Sequence, residues 1–193
     1  MKKLIISSDN THKVQEIKDI LKDLPYEVLT KSQAGFGHVE VVEDGQSLEE
    51  NAKKKVQGIQ ADQALVIGDD TGLFVQALDG APGIYSARYA GEEATDLDNR
   101  KKLLEEMEGK EDRQAYFKTV IALAHEGEIH YLSGVCPGQI TQEEKGQGGF
   151  GYDPIFLPEG EEETFASMSE ERKNQISHRA LALEALKNFL EDK

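Results

Sequence analysis

The chain has 193 residues, of which 38% are hydrophobic and 31% charged, enough apolar material for a packed core without disulfide or metal staples. Acidic residues outnumber basic ones by 37 to 22, and the net charge of −15 repels nucleic acid and anionic membrane surfaces alike. Cys136 is the only cysteine, so an internal disulfide and a cysteine-based zinc site are both excluded.

Along the chain, Leu4 to Ile6 reads as a short buried strand, and its three apolar residues in a row are too few for a signal peptide. The expectation is a cytoplasmic protein. Ser7 to Thr11 supplies turn and cap chemistry, with Asp9 or Asn10 as the cap. A helix follows with Val14, Ile17, Ile20, Leu21 and Leu24 on one stripe and Pro25 just past its end. Ser47-Leu48-Glu49-Glu50 has the form of a capping box and opens a second helix to about Gln60. Leu65 to Ile67 is another strand, expected to end at Gly68-Asp69-Asp70-Thr71-Gly72. Thr95 caps a third helix to about Met107. Residues 115–124 and 129–135 are β-rich and separated by Glu126-Gly127-Glu128, which predicts a hairpin. A last helix starts near Ser177, read as its N-cap, with Leu183, Leu186, Phe189 and Leu190 on its stripe. Alternating strands and helices followed by an antiparallel pair predict an α/β fold with a mixed sheet in one structural unit.

Several segments have the residue types for chemistry. Ser7 to Lys13 joins a strand to a helix start, where unpaired N–H groups and the helix dipole attract anions, and Lys13 adds a full charge. It is not a P-loop, because the Gly-x-x-x-x-Gly-Lys pattern is absent. Glu43 and the pair Asp69-Asp70 put carboxylates at two expected strand ends, a donor set suited to Mg2+ with positions left for phosphate oxygens. Among Lys53, Lys54 and Lys55, one can face a cleft, and spacing leaves open which. Gly146 to Gly151 matches Gly-x-Gly-x-x-Gly, but no βαβ unit surrounds it, so a dinucleotide fingerprint is rejected. Phe150, Tyr152 and Asp153 suit a wall that stacks on a base and reads its edge. His178 and Arg179 are donors for carbonyl oxygens of a purine.

The pieces Ser8-Asp9-Asn10-Thr11-His12-Lys13, Glu50-Asn51-Ala52, Asp69-Asp70-Thr71-Gly72-Leu73, the run from Gly80 to Tyr89, Gly149 to Phe156 and Ile176-Ser177-His178-Arg179 occur in one order along nearly the whole chain. In that order the chain resembles the inosine triphosphate pyrophosphatase family. The resemblance implies an elongated mixed α/β fold of two lobes around a central nucleotide-binding cleft, one pyrophosphatase domain over residues 1–193, and a homodimer. It also implies Mg2+-dependent hydrolysis of deaminated purine triphosphates (ITP, dITP, XTP) to monophosphate and pyrophosphate. By the same resemblance Ser8, Asp9, Asn10, Thr11, His12, Lys13 and Lys55 bind the triphosphate, and Glu43 and Asp70 hold the metal, with Asp70 the catalytic base. Thr71 stands where the family commonly has serine and keeps the hydroxyl. Phe150, Gly151, Tyr152, Asp153, Lys173, His178 and Arg179 match the base-recognition set. Two other readings meet obstacles: an aspartic peptidase needs a second Asp-Thr-Gly besides residues 70–72, and a binding protein without turnover has no use for Asp70 and Glu43.

Overall fold

The computed structural model describes residues 2–61 and 63–191; Met1, Asp62 and residues 192–193, and with them the ends of the expected 1–193 domain, lie outside the described residues. The fold is mixed α/β, as the order of elements predicts. The strands are β1 (Lys2–Ile6), β2 (Tyr26–Thr30), β3 (Ala64–Val75), β4 (Pro82–Gly83), β5 (Gln114–His125), β6 (Glu128–Ile140) and β7 (Phe156–Pro158). The helices are α1 (Thr11–Leu21), α2 (Leu48–Gln57), α3 (Asp96–Glu106), α4 (Glu170–Ile176) and α5 (His178–Glu191). Strand order is β2-β1-β3-β5-β6-β7, with β4 on β3. No helix among the described residues is long and apolar enough to cross a membrane.

The chain forms two compact units. The first comprises residues 1–70, 119–134 and 179–193, the second residues 71–118 and 135–178. In the first unit β1 lies parallel to both β2 and β3, with Leu4 opposite Val28 and Leu65. A parallel strand covered on both faces needs an unbroken apolar run, which explains the consecutive Leu4, Ile5 and Ile6, all buried. The period-2 alternation of β3 then sorts its residues: Ile67 joins Leu4 and Ile6 in a core built with Val14, Ile17 and Leu21 of α1 and Ala182, Leu183 and Leu186 of α5. Each fully buried leucine or isoleucine of this core contributes about 1.5–3 kcal/mol. The opposite face of β3 packs on α2, whose buried stripe is Leu48, Asn51, Ala52, Lys55 and Val56. Gly68 makes that approach possible, since a Cβ there would stand 2.6 Å from Lys55 Cβ and 2.8 Å from the Ala52 carbonyl oxygen.

The second unit has its own core, in which Phe117, Phe156 and Phe165 meet Leu73, Val75, Leu103, Met107 and Ile155. Phe117 and Phe156 pack edge to face at 4.7 Å between ring centroids. A groove of about 720 Å³ in this unit is lined by Phe74, Tyr116, Pro137 and Leu157 among others, and none of the expected site residues lines it.

The structure corrects several local expectations. β3 does not end at Ile67 but runs through Asp69 and Asp70 to Val75, because both carboxylates find cationic partners inside the fold. Residues 41–45 form no strand, and Glu43 lies on an irregular segment leading into α2. α1 stops at Leu21, before Leu24, and α2 stops at Gln57, where Gly58 caps it. Ser47 caps α2 by accepting from the Glu50 N–H, but Glu50 reaches back to the Gln46 N–H instead of closing a reciprocal box. The reciprocal capping box belongs to Thr95 and Asp98 at the start of α3. The last helix begins at His178, directly after Ser177 as expected, and Ser177 is at the same time the C-cap of a separate short helix, α4. Asp153 to Ile155 make one 3₁₀ turn, admitted by Pro154 near its start. The expected hairpin is present as β5 and β6 around Glu126-Gly127.

Gly68→Ala tests the packing of α2 on β3. The added methyl should lower unfolding free energy by about 1–3 kcal/mol, read from the urea midpoint, because the nearest atoms are a helix carbonyl and a side-chain stem root with little room to move.

Candidate active site

The first unit assembles its charges from three helices and one strand. On β3, alternation sends Asp69 toward α1 and α5 and Asp70 toward α2. The Asp69 Oδ2 atom lies 3.2 Å from Lys13 Nζ and 3.3 Å from Arg179 Nη2. Arg179 also pairs with Glu16, one turn along α1 from Lys13. Asp69 Oδ1 is buried and accepts no hydrogen bond among the described residues. Burial acts to raise the Asp69 pKa, but Lys13, Arg179 and Lys55 outweigh it and hold the carboxyl well below its ordinary value. Burial, with Lys55 and Arg179 nearby, lowers the pKa of Lys13 against the pull of Asp69.

On the other face, Lys55 occupies the centre. Its Nζ donates to the Asp69 backbone carbonyl at 2.8 Å and lies 3.2 Å from Asp70 Oδ1 and 3.1 Å from Glu43 Oε2. Burial works against this cation, yet Asp70, Asp69 and Glu43 raise its pKa overall. Asp70 Oδ2 accepts from Asn51 Nδ2 at 3.2 Å, while Asn51 Oδ1 accepts from the Gly45 N–H at 2.8 Å. Asn51 thereby ties the segment carrying Glu43 to the strand carrying Asp70. Burial raises the Asp70 pKa, opposed by Lys55 and Lys13 and reinforced by Glu43. A carboxylate so raised is a stronger base than a solvated one.

The segment before α1 is already engaged. Asn10 is the N-cap, accepting from the Lys13 N–H at 3.2 Å, and Ser8 Oγ accepts from the Asn10 N–H at 3.1 Å. Asp9 turns to Ser32, accepting from its N–H and from its hydroxyl at 2.8 Å. Thr11 and His12 are exposed on the first turn. That turn contains no acidic residue, whereas the first turns of α2, α3 and α4 each carry two.

In the second unit Lys173 Nζ lies 2.7 Å from Asp153 Oδ2, and both residues are buried. The same ammonium stands over the Phe150 ring at 5.0 Å and the Phe165 ring at 5.7 Å. Asp153 also accepts from the Phe150 N–H at 2.9 Å, and the Tyr152 hydroxyl donates to the Ser86 carbonyl at 2.7 Å. His178 stacks on Phe117 at 4.4 Å. Thr71 follows Asp70 as the next, half-buried residue of β3.

Lys13, Glu43, Lys55, Asp70 and Arg179 are thus gathered in the first unit, and Phe150, Gly151, Tyr152, Asp153 and Lys173 in the second. Of the three consecutive lysines, Lys55 points inward, Lys53 is exposed and Lys54 pairs with Asp44. The stripe starting at Leu48 selects Lys55, seven residues on, and selects Asn51 as a polar residue among apolar neighbours. Asn51 and Glu16 received no role from the sequence. Glu16 had no distinguishing signal, because its partner is far away in the chain.

The sequence profile of the Ham1 family matches residues 4–189. The dITP/XTP pyrophosphatase of Thermoanaerobacter pseudethanolicus is 46% identical, over 97% of this chain and 96% of its own length. That of Bacillus licheniformis is 47% identical, over 99% of both. Among solved structures, the Staphylococcus aureus Ham1 protein superposes with a TM-score of 0.87 at 41% identity, covering 99% of each chain.

Asp69→Asn removes the anion on which Lys13 and Arg179 converge. Leaving buried cations without it should cost about 3–5 kcal/mol of unfolding free energy at neutral pH. Because the folded-state pKa is depressed, this contribution is full above the ordinary value of 3.8 and is lost as pH falls below it. The gap between wild type and variant in urea unfolding should narrow in acid below that value.

Proposed function

Because the chain belongs to the Ham1 family, we propose that it hydrolyses dITP, XTP and ITP to the monophosphate and pyrophosphate through the constellation around Asp70. The observation that carries the chemistry is the buried carboxylate of Asp70, with raised pKa, fixed by Lys55 at 3.2 Å and by Asn51 at 3.2 Å. In this reading Asp70 orients a water and takes its proton as the oxygen attacks the α-phosphorus. The bond from that phosphorus to the bridging oxygen breaks, and pyrophosphate leaves with the electron pair. Lys13 and Lys55 neutralise charge on the departing oxygens. The first turn of α1 carries no acidic residue of its own, which leaves its backbone N–H groups suited to a phosphate.

The donor set also supports Mg2+ as cofactor. Glu43 and Asp70 are hard oxygen ligands on either side of one ammonium, and the cluster of Glu16, Glu43, Asp69, Asp70, Lys13, Lys55 and Arg179 carries one more carboxylate than cations. Such a cluster does not attract a polyphosphate unaided. Mg2+ held by Glu43 and Asp70 would supply the missing positive charge and polarise phosphate oxygens.

In this reading Phe150, Gly151, Tyr152, Asp153, Lys173 and His178 of the second unit take the base. Donors suit a 6-oxo purine and leave the 6-amino group of adenine facing donors, so preference rests on polar groups that only the right base pairs. The site acts on free nucleotides in the cytoplasm, over the whole chain as one pyrophosphatase domain. The protein works as a homodimer, for which the apolar groove at Phe74, Tyr116 and Leu157 is a suitable contact face.

Purified protein with Mg2+ should release pyrophosphate from dITP about a hundredfold faster than from dATP at equal low concentration, and EDTA should stop it. Equal rates for the two nucleotides would overturn the substrate assignment. Asp70→Asn should lower kcat by at least about a hundredfold.

A further inference from the structure

α3 begins at a reciprocal capping box between Thr95 and Asp98, so its first turn has a defined position. Buried Asn99 anchors the helix further, accepting from the Ala90 N–H at 2.8 Å and donating to the Ala87 carbonyl at 3.1 Å. Asp96 and Arg100 are four residues apart and share one helix face. Both reach the same residue of the glycine-rich loop. Asp96 Oδ2 accepts from the Gly151 N–H at 2.9 Å, and Arg100 Nη1 donates to the Gly151 carbonyl at 2.8 Å. Arg100 is itself held by Glu144, at 2.9 Å from Nε to Oε1.

Gly151 is in the left-handed region at φ +60, as are Gly149 at +67 and Gly146 at +84. A loop with three such residues has many accessible conformations when nothing fixes it. The two backbone groups of Gly151 are fixed from outside the loop. On either side of it stand Phe150, beneath which Lys173 sits, and Tyr152 with Asp153.

We propose that Asp96 and Arg100 are specificity-determining positioning residues: by clamping both backbone groups of Gly151 they hold Phe150 and Asp153 where a base is read. Neither touches the reacting atoms. The clamp rests on the reading that Phe150 to Asp153 recognise the base. Releasing it lets the loop sample geometries in which Asp153 and Lys173 no longer present one fixed pattern. The purine then contributes less to binding and to discrimination, while the polyphosphate contacts of the first unit remain.

The test is steady-state pyrophosphate release from dITP and dATP by wild type, Asp96→Ala, Arg100→Ala and the double variant, with inorganic triphosphate as a competitive probe lacking a base. The double variant should raise KM for dITP about tenfold and lower the dITP-to-dATP ratio of kcat/KM about tenfold, as expected for loss of uniform base binding and of its selectivity. Inhibition by inorganic triphosphate should stay within about twofold, since the phosphate contacts are untouched. Asp96→Asn, which keeps an acceptor for the Gly151 N–H, should remain within about twofold of wild type. Unchanged KM and ratio, or an equal fall of kcat for both nucleotides at constant KM, would overturn the clamp. If the double variant folds poorly by circular dichroism, the two single variants decide on the same ratio. A wild type that does not prefer dITP over dATP refutes the base-recognition reading beneath it. A preference retained by wild type and by the alanine variants alike refutes the clamp alone.

Discussion

Two adjacent aspartates buried on one strand are tolerated only because each meets its cations on its own face of the sheet. Taking a carboxylate out of water costs several kcal/mol unless charge and hydrogen bonds replace its hydration. Lys55 answers for Asp70 and, through the backbone carbonyl, touches Asp69 as well. Lys13 and Arg179 answer for the Asp69 side chain. Without these partners two buried carboxylates would oppose the run of β3 through residues 69 and 70. The strand, the helices packed on it and the reactive carboxylate therefore depend on one set of ion pairs.

The two aspartates consequently have different chemistry although they are neighbours. Asp69 is held ionised, with a depressed pKa, and serves to fix lysine and arginine. Asp70 is pushed the other way by burial and by Glu43, which suits a base. The period-2 alternation of a strand converts a one-residue shift into a change of surroundings, and so divides structural from chemical work between two identical side chains.

The second unit uses the same economy of charge. Lys173 is buried between Asp153 and two aromatic faces, which leaves the ammonium compensated without solvent. The loop that carries Phe150 and Asp153 is tied at the two central residues of its turn, by Tyr152 to the Ser86 carbonyl and by α3 to Gly151. Rigidity here comes from backbone groups held by side chains, not from the loop's own composition, which favours freedom.

Local signals were enough for much of this. The apolar run at residues 4–6, the caps at Asn10, Ser47 and Thr95, the hairpin around Glu126-Gly127 and the stripe of α5 each act within a few residues, so they are legible in order along the chain. The resemblance placed the residues expected in the site, but not their partners. That Asp69 faces Lys13 and Arg179 while Asp70 faces Asn51 and Lys55, and that β3 continues through both acids, are matters of tertiary structure. The ion pair of Arg179 with Asp69 joins residues 110 positions apart, and that with Glu16 joins residues 163 apart. Sequence alone determined the elements because caps and periodicity are short-range; the pairing of buried charges was decided only when distant elements packed, since a charge's partner is set by distance in space and by the absence of competing water.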